Sequence, residues 1–375
     1  MASKVWMAAV VVVAIVAWFA GYYSRAPAAQ TATVVTTYSE TATTTYSTTV
    51  TTTYLTTVTT TATVVVRYYP ITVVDALNRT LQIAAEPARV VSLAPSITQM
   101  LVALGLCSRI VGLDQFSYQL LKELNYTSCL PADAEVVEIN AMSPTGFNGD
   151  AIILLKPDLV LADSGIEAMW ARDMQKLGVP VYFLYGTRAA SFADIERDVE
   201  ALGKIFDRAR RAAAVVGWME TELAKYRTPT NATVAQIVWI NPDGSFYAAG
   251  NNTFVAAEIR AAGGINAIGQ GGWGPFEPSL LIAANPSVIV VGSMGFNCTY
   301  ALQTLRNIPH VSSVSAYSNG RIYALSGLAE DAVDQPSLMS VYAVAMFNMV
   351  MTGRAPHCLD TRWFLQQFPS PIPTG

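Results

Sequence analysis

Histidine is nearly absent from this chain. Only His310 and His357 occur among 375 residues, far apart and each next to a proline-containing turn. That scarcity counts against a catalytic triad or a histidine-built metal site. No G-x-S-x-G elbow, Walker A loop, CxxC pair or His-Glu zinc motif is present. Charge is sparse too: 13% of residues are charged, and the net charge of −4 offers no basic patch for nucleic acid. No cysteine precedes Cys107, so a lipid-bearing cysteine is excluded from the N-terminal region. These absences favour binding over bond chemistry. We expect no enzyme, no intrinsic cofactor, no protein-held metal and a monomer.

What the chain has in plenty is apolar and hydroxyl residues. Val5 to Tyr23 is almost wholly apolar, follows Lys4 and meets no charge until Arg25. About 19 residues just suffice to cross a bilayer. Lys4 favours the N-terminus inside and the bulk of the chain outside. We expect an uncleaved anchor over residues 1–25, with a cleavable signal peptide as the alternative. Residues 26–66 are threonine-rich and carry an eight-residue repeat marked by Tyr38, Tyr46 and Tyr54. Too few large apolar groups are present to build a core, so an extended stalk is expected. It could reach on the order of 100 Å, either O-glycosylated or as a bare linker.

An external location is consistent with five N-x-S/T sequons, at Asn78, Asn125, Asn231, Asn251 and Asn297. It also suits two disulfides. Cys107 with Cys129 would close a loop in a first lobe, and Cys298 with Cys358 one in a second. Free buried thiols are the other reading.

Phe192, Ile195, Val199, Leu202, Phe206, Ala209, Ala213 and Val216 recur at the spacing of one helix face. The spacing predicts a single rigid helix over 191–227, with a coiled coil as its rival. On either side the chain alternates strands and helices. The fold class is therefore α/β: two lobes, 67–190 and 228–375, each with a mainly parallel sheet and flanking helices. Ile152–Leu161 and Ser279–Val291 repeat one helix–turn–strand pattern, as two similar lobes would.

In such sheets ligands bind beyond the carboxyl ends of the strands. Loops there supply Pro95, Ser96, Phe116, Tyr118, Phe147, Tyr185, Tyr247, Trp273, Phe276 and Phe296 as candidate ligand contacts. Arg188 is the only basic residue in those loops. The ligand is expected to be large, partly apolar and not strongly anionic. Glu330 and Asp331 are paired carboxylates that read as a solvated loop.

Three stretches carry a family resemblance. Ile71–Thr80 with Arg89–Thr98, Asn148–Leu161 with Leu155-Lys-Pro-Asp-Leu-Val-Leu161, and Ile308–Tyr323 resemble the substrate-binding proteins of ABC importers for ferric siderophores, haem and vitamin B12. The resemblance covers about residues 68–350. It implies a metal chelate, an iron-siderophore or cobalamin, bound between the lobes and passed to a permease and its ATPase, with haem as an alternative. It implies permease docking through a carboxylate on each lobe. Asp150 stands at the first such position. Ser279 stands where the second glutamate is usual, with Glu277 two residues away. A surface structural or adhesion protein and an enzyme on a related scaffold are the rival readings.

Overall fold

The structure is a computed structural model that describes residues 31–45, 49–63, 69–140 and 143–374. The chain divides into two units, Met1–Tyr68 and Tyr69–Gly375. The expected anchor lies outside the described residues. Among the described residues no helix is long and apolar enough to cross a membrane.

In the first unit the threonine-rich segment forms strands β1 (Thr31–Thr45) and β2 (Thr49–Thr63). They pair antiparallel from Thr31 with Thr63 to Thr45 with Thr49. The expectation of a fully extended stalk is thus corrected. β-branched threonine and valine favour strand pairing, and the segment doubles back, so its reach is roughly 50 Å.

The second unit begins with a hairpin, β3 (Ile71–Val74) and β4 (Thr80–Ile83). The first lobe follows: β5 (Val90–Ser92), α1 (Pro95–Ala103), β6 (Ile110–Asp114), α2 (Gln115–Glu123), β7 (Glu135–Val137), α3 (Gly149–Leu154), β8 (Leu159–Asp163), α4 (Ala171–Met174) and β9 (Val181–Leu184). Its strands form a parallel sheet in the order β7-β6-β5-β8-β9.

Two helices then carry the chain across, α5 (Phe192–Ile205) and α6 (Ala209–Tyr226). The single rigid helix expected over 191–227 is a hairpin instead. Asp207 breaks it with φ +52°, and Gly203 lies so close that a Cβ there would collide with that of Ala212. Burial and then the charge of Glu220, across on α6, raise the Glu196 carboxyl. The expected stripe holds through α5, where Ile195, Val199 and Leu202 are buried, but α6 turns Ala212, Val215 and Met219 to the same core and leaves Ala209 and Ala213 exposed. Only α6, 18 residues and about 27 Å, joins the lobes. At its start Arg211 donates to the carbonyls of Ala103 and Pro373. Towards its end Trp218 packs edge-on to Tyr342.

The second lobe comprises β10 (Thr233–Ile240), β11 (Phe246–Ala249), α7 (Phe254–Ala261), β12 (Ile265–Asn266), β13 (Trp273–Phe276), α8 (Pro278–Ala284), β14 (Val288–Val291), α9 (Cys298–Thr304), α10 (Ser315–Ser318), β15 (Ile322–Leu325), α11 (Leu328–Asp334), α12 (Ser340–Met351), β16 (Cys358–Leu359) and α13 (Thr361–Gln367). Strands β12, β10, β14, β15 and β16 are joined by parallel pairings, whereas β11 and β13 add an antiparallel edge. Both disulfides are formed, Cys107–Cys129 and Cys298–Cys358.

Side-chain alternation shows how the lobes meet. In the first sheet Val90, Leu159, Leu161, Tyr182 and Leu184 face one core, and in the second Val234, Val288, Val290, Tyr323 and Leu325 face that same core. The alternate residues, such as Val91, Val160 and Phe183 or Ala235, Ile289 and Ala324, face two separate outer cores. Helices α1, α6 and α12 fill the shared layer with Ile97, Met100, Val215, Met219, Val344 and Phe347. The lobes are fused through apolar packing as well as joined by a helix.

Candidate functional site

Between the lobes lies a cavity of about 920 Å³. The first lobe contributes Pro95, Phe116, Gln119, Leu120 and Glu123 to its wall. The second contributes Met294 to Asn297, Ser326, Gly327, Glu330, Asp331, Asp334 and Gln335, and the C-terminal segment Asp360, Thr361 and Arg362. The cavity sits at the carboxyl ends of β5, β6, β14 and β15, where an α/β sheet leaves a crevice.

Local chemistry sets each wall residue. Asp114 ends β6 and caps α2, accepting from the Phe116 and Ser117 N–H groups at 2.9 and 3.0 Å. That cap fixes the first turn of α2 and with it the exposed ring of Phe116. Burial pushes the Asp114 carboxyl up to about 6, against the pull of its hydrogen bonds from Ser117 and Phe116. In the second lobe Glu330 accepts from Ser293 N (2.6 Å), Ser293 Oγ (2.7 Å) and Met294 N (2.7 Å). Glu330 therefore ties down the loop that presents Phe296. Phe296 stacks on Tyr300 with ring centres 4.4 Å apart.

One polar bridge crosses the cavity wall. Thr361 Oγ1 donates to Glu123 Oε2 at 3.1 Å and accepts from Leu328 N at 3.0 Å. Gly327 makes this possible, since its φ is +57° and a Cβ there would strike Thr361 Oγ1. The second-lobe wall is acidic. Burial first, then Glu123 and Glu330, raise Asp331 to about 7. Burial, Glu330 and Asp331 raise Asp334 well above the usual carboxylate range.

Of the candidate ligand contacts, the structure brings Pro95, Phe116 and Phe296 together in this wall. Ser96 is buried in the first turn of α1. Tyr118 is exposed on α2, and Tyr185 is half-buried beside Arg197. Phe147 stacks on Trp170 at 5.8 Å. Tyr247, Trp273 and Phe276 were expected on cleft loops. They lie on the paired edge strands β11 and β13 instead, because Asn241–Ser245 folds a hairpin whose Gly244 has φ +88°. Trp273 there packs on Phe254, and Phe276 on Phe246.

Two expectations about charge are corrected. Glu330 and Asp331 belong to the first turn of α11 and line the cavity. Their helix follows β15 directly, which brings the pair inward. Arg188 is exposed and donates to Ala76 O, whereas the guanidinium in the wall is that of Arg362. Sequence reasoning missed Arg362, Thr361 and Asp360 because it did not place the C-terminal segment beside the cleft. The Asp360-x-x-Trp363 cap of α13 was the available signal.

Asp150 is exposed in the first turn of α3, beside Ile153 (48% exposed) and Leu154 (80%). It borders a second, shallower concavity of about 430 Å³ that Phe147 also lines. Glu277 is exposed at the start of α8, the corresponding helix of the second lobe. The five sequon asparagines are all exposed. Asn78 and Asn125 adopt φ +59° and +58°, Asn231 precedes β10, Asn251 donates to Gly269 O, and Asn297 caps α9 within the cavity wall.

Similarity to known proteins agrees with this architecture. A cobalamin-binding protein of Halobacterium salinarum is 27% identical over 72% of this chain and 70% of its own length. An uncharacterized ABC transporter substrate-binding lipoprotein of Bacillus subtilis is 28% identical over 59% of this chain and 69% of its own length. Among solved structures, an ABC-type Fe3+-hydroxamate transport protein of Saccharomonospora viridis superposes with a TM-score of 0.60. It is 19% identical and covers 76% of this chain and 100% of its own. A periplasmic haem-binding protein of Roseiflexus has a TM-score of 0.57 at 24% identity, over 72% of this chain and 99% of its own. The family model for periplasmic binding proteins matches residues 90–327, more than half the chain. The chain therefore belongs to the periplasmic binding protein family, whose members here are binding proteins of ABC transporters and not enzymes.

Proposed function

We propose that this protein is an extracellular receptor that captures a metal chelate, a corrinoid of the cobalamin type, and delivers it to an ABC permease and its ATPase. The observation that carries this reading is the cavity walled by both lobes. Its volume of about 920 Å³ lies at the upper end of the range for small-molecule sites, as a bulky chelate requires. Phe116 and Phe296 offer apolar faces from opposite lobes, and amide and hydroxyl groups lie between them. The name of the H. salinarum relative supports the corrinoid choice. A ferric siderophore is the second reading, supported by the hydroxamate-transport neighbour. Haem is less favoured, because among the described residues the wall contains no histidine or tyrosine to ligate its iron.

Asp150 and Glu277 would dock the two lobes on the permease, pairing with cationic groups there. The N-terminal segment would hold the receptor at the membrane, and glycans at the sequons would decorate it. The testing experiment is calorimetry of the purified protein with cyanocobalamin, a ferric hydroxamate and haem. The reading expects one-to-one binding of the corrinoid at micromolar affinity or better. Failure of the folded protein to bind any of the three would refute it.

A further inference from the structure

The cavity wall is electrically lopsided. It holds five carboxylates, Glu123, Glu330, Asp331, Asp334 and Asp360, against one guanidinium, Arg362. Three of the five are committed to holding the protein together. Glu330 accepts from Ser293 and Met294. Glu123 accepts from Gln119 and Thr361, and Asp360 caps α13. Asp331 and Asp334 are less engaged. Asp331 accepts a long bond from Gln335 Nε2 (3.2 Å), and Asp334 accepts from Gln236 Nε2 (2.7 Å). Among the described residues neither has an ion-pair partner within 4.0 Å.

A separate observation points the same way. Behind these two aspartates, three fully or partly buried side chains have oxygen atoms without a hydrogen-bond donor. They are Gln335 Oε1, Gln236 Oε1 and both carboxylate oxygens of Glu258. Gln236 and Glu258 are 0% and 1% exposed. Gln236 is bonded to Asp334, and the charge of Asp334 reaches Glu258. Ser337 Oγ and Gln99 Nε2 also lack a partner, so among the described residues acceptor oxygens make up four of the six orphaned buried side-chain atoms. A buried acceptor left without a donor is costly, and the carboxylates in front of these atoms lower their energy when something in the cavity brings donors or positive charge.

We propose that the second-lobe wall, through Asp331 and Asp334, selects chelates that carry net positive charge. This rests on the receptor reading above and narrows its ligand class. The shared chemistry is a bulky chelate with a cationic centre or ammonium group. A cationic corrinoid and an amine-bearing ferric hydroxamate are its two sources. Without ligand, burial and repulsion from neighbouring carboxylates raise Asp331 to about 7, leaving it partly protonated near neutral pH, and raise Asp334 well above the usual carboxylate range. A cation entering the cavity favours their charged forms, so protons leave as the ligand binds. The charged groups facing the pair are Glu123 on α2, Glu330 on α11, Glu258 on α7, and Asp360 and Arg362 at α13.

The test is calorimetry of the full chain at pH 6.5 with two matched pairs. Aquacobalamin is set against cyanocobalamin, and ferrioxamine B, which carries an ammonium, against neutral ferrichrome. The cationic member of the bound pair is expected to bind ~10-fold tighter. Its binding should release protons, read from heats in two buffers of different ionisation enthalpy, and should weaken as pH falls from 7 to 5.5. Asp331→Asn and Asp334→Asn should bring the charged-to-neutral ratio towards one. Asn keeps an acceptor for Gln335 or Gln236, and thermal melts check folding. Equal or tighter binding of the neutral members overturns the charge inference and leaves the receptor reading standing. An undiminished ratio in the folded double variant also overturns it. No binding by either pair overturns both.

Discussion

Phe116 and Phe296 reach the cavity from opposite lobes, 54% and 58% exposed without ligand. Covering a phenylalanine stabilises by about 1.5–3 kcal/mol, so each ring should matter in a bound complex and little to folding. Phe116→Ala and Phe296→Ala are each expected to weaken corrinoid binding by roughly 10- to 100-fold, with melting temperature nearly unchanged. Calorimetry on both variants checks this, and unaltered affinity would remove these rings from the site. Buried acids make a second residue-scale prediction. Burial raises Asp114 to about 6 and Asp198 and Asp331 to about 7. Their unfolded values lie near 3.9. Between those limits the folded state binds more protons, so the contribution of these three groups to stability should fall as pH rises from about 4 to 7. Chemical denaturation across that window reads the slope. Asp198→Asn should remove its share of that slope, and an unchanged slope in the variant would contradict the assignment. The two rings were legible as aromatics in loops after strands. The acidic wall was not: Glu330-Asp331 has no local pattern that separates a solvated turn from a cleft-facing helix start, and only the β15–α11 junction decides.

The α5–α6 hairpin shows what pattern reading misses at the scale of elements. Apolar spacing identified both helices, but its register failed across the break: Ala209 and Ala213 are exposed, and α6 buries Ala212, Val215 and Met219 instead. Both helices face a common core, and the turn was marked only by Gly203 and Asp207. Gly203→Val should destabilise the protein by about 1–3 kcal/mol, because the added side chain overpacks against Ala212. Urea denaturation measures it, and a neutral result would mean the helices separate easily. The repeated helix–turn–strand pattern, by contrast, located α3–β8 and α8–β14 correctly, since each strand is a short apolar run bounded by Pro157 or Pro286. The antiparallel β11–β13 edge went unseen, and Tyr247, Trp273 and Phe276 were misplaced with it. Edge strands there are short and interrupted by glycine and proline, so they read as loops. The disulfides act at this scale as well. Closing 22 and 60 residues removes loop entropy worth about 3 and 4 kcal/mol from the unfolded chain. The Cys298→Ser/Cys358→Ser pair should therefore cost more stability than Cys107→Ser/Cys129→Ser, and the two midpoints in denaturant compare them directly.

For the Tyr69–Gly375 unit as a whole, the shared core limits what ligand binding can move. Opening the lobes widely would expose Ile97, Met100, Val215, Val344 and Phe347, which pack in one apolar layer between the two sheets. It would also break Gln99 Oε1 from Met339 N and Arg211 from Ala103 and Pro373. Exposing even a few such side chains costs about 1.5–3 kcal/mol apiece, against a total stability of about 5–15 kcal/mol. Small shifts around the α6 connector remain inexpensive, whereas rearranging the Ser293–Phe296 loop would break its hydrogen bonds to Glu330. The Thr361 bridge to Glu123 and Leu328 is the polar contact that such a shift would strain first. Small-angle scattering of the ligand-free and ligand-bound protein should therefore differ in radius of gyration by less than about 1 Å. A contraction of several ångströms would mean that the shared layer parts in the free protein, and that the lobes close as hinged jaws.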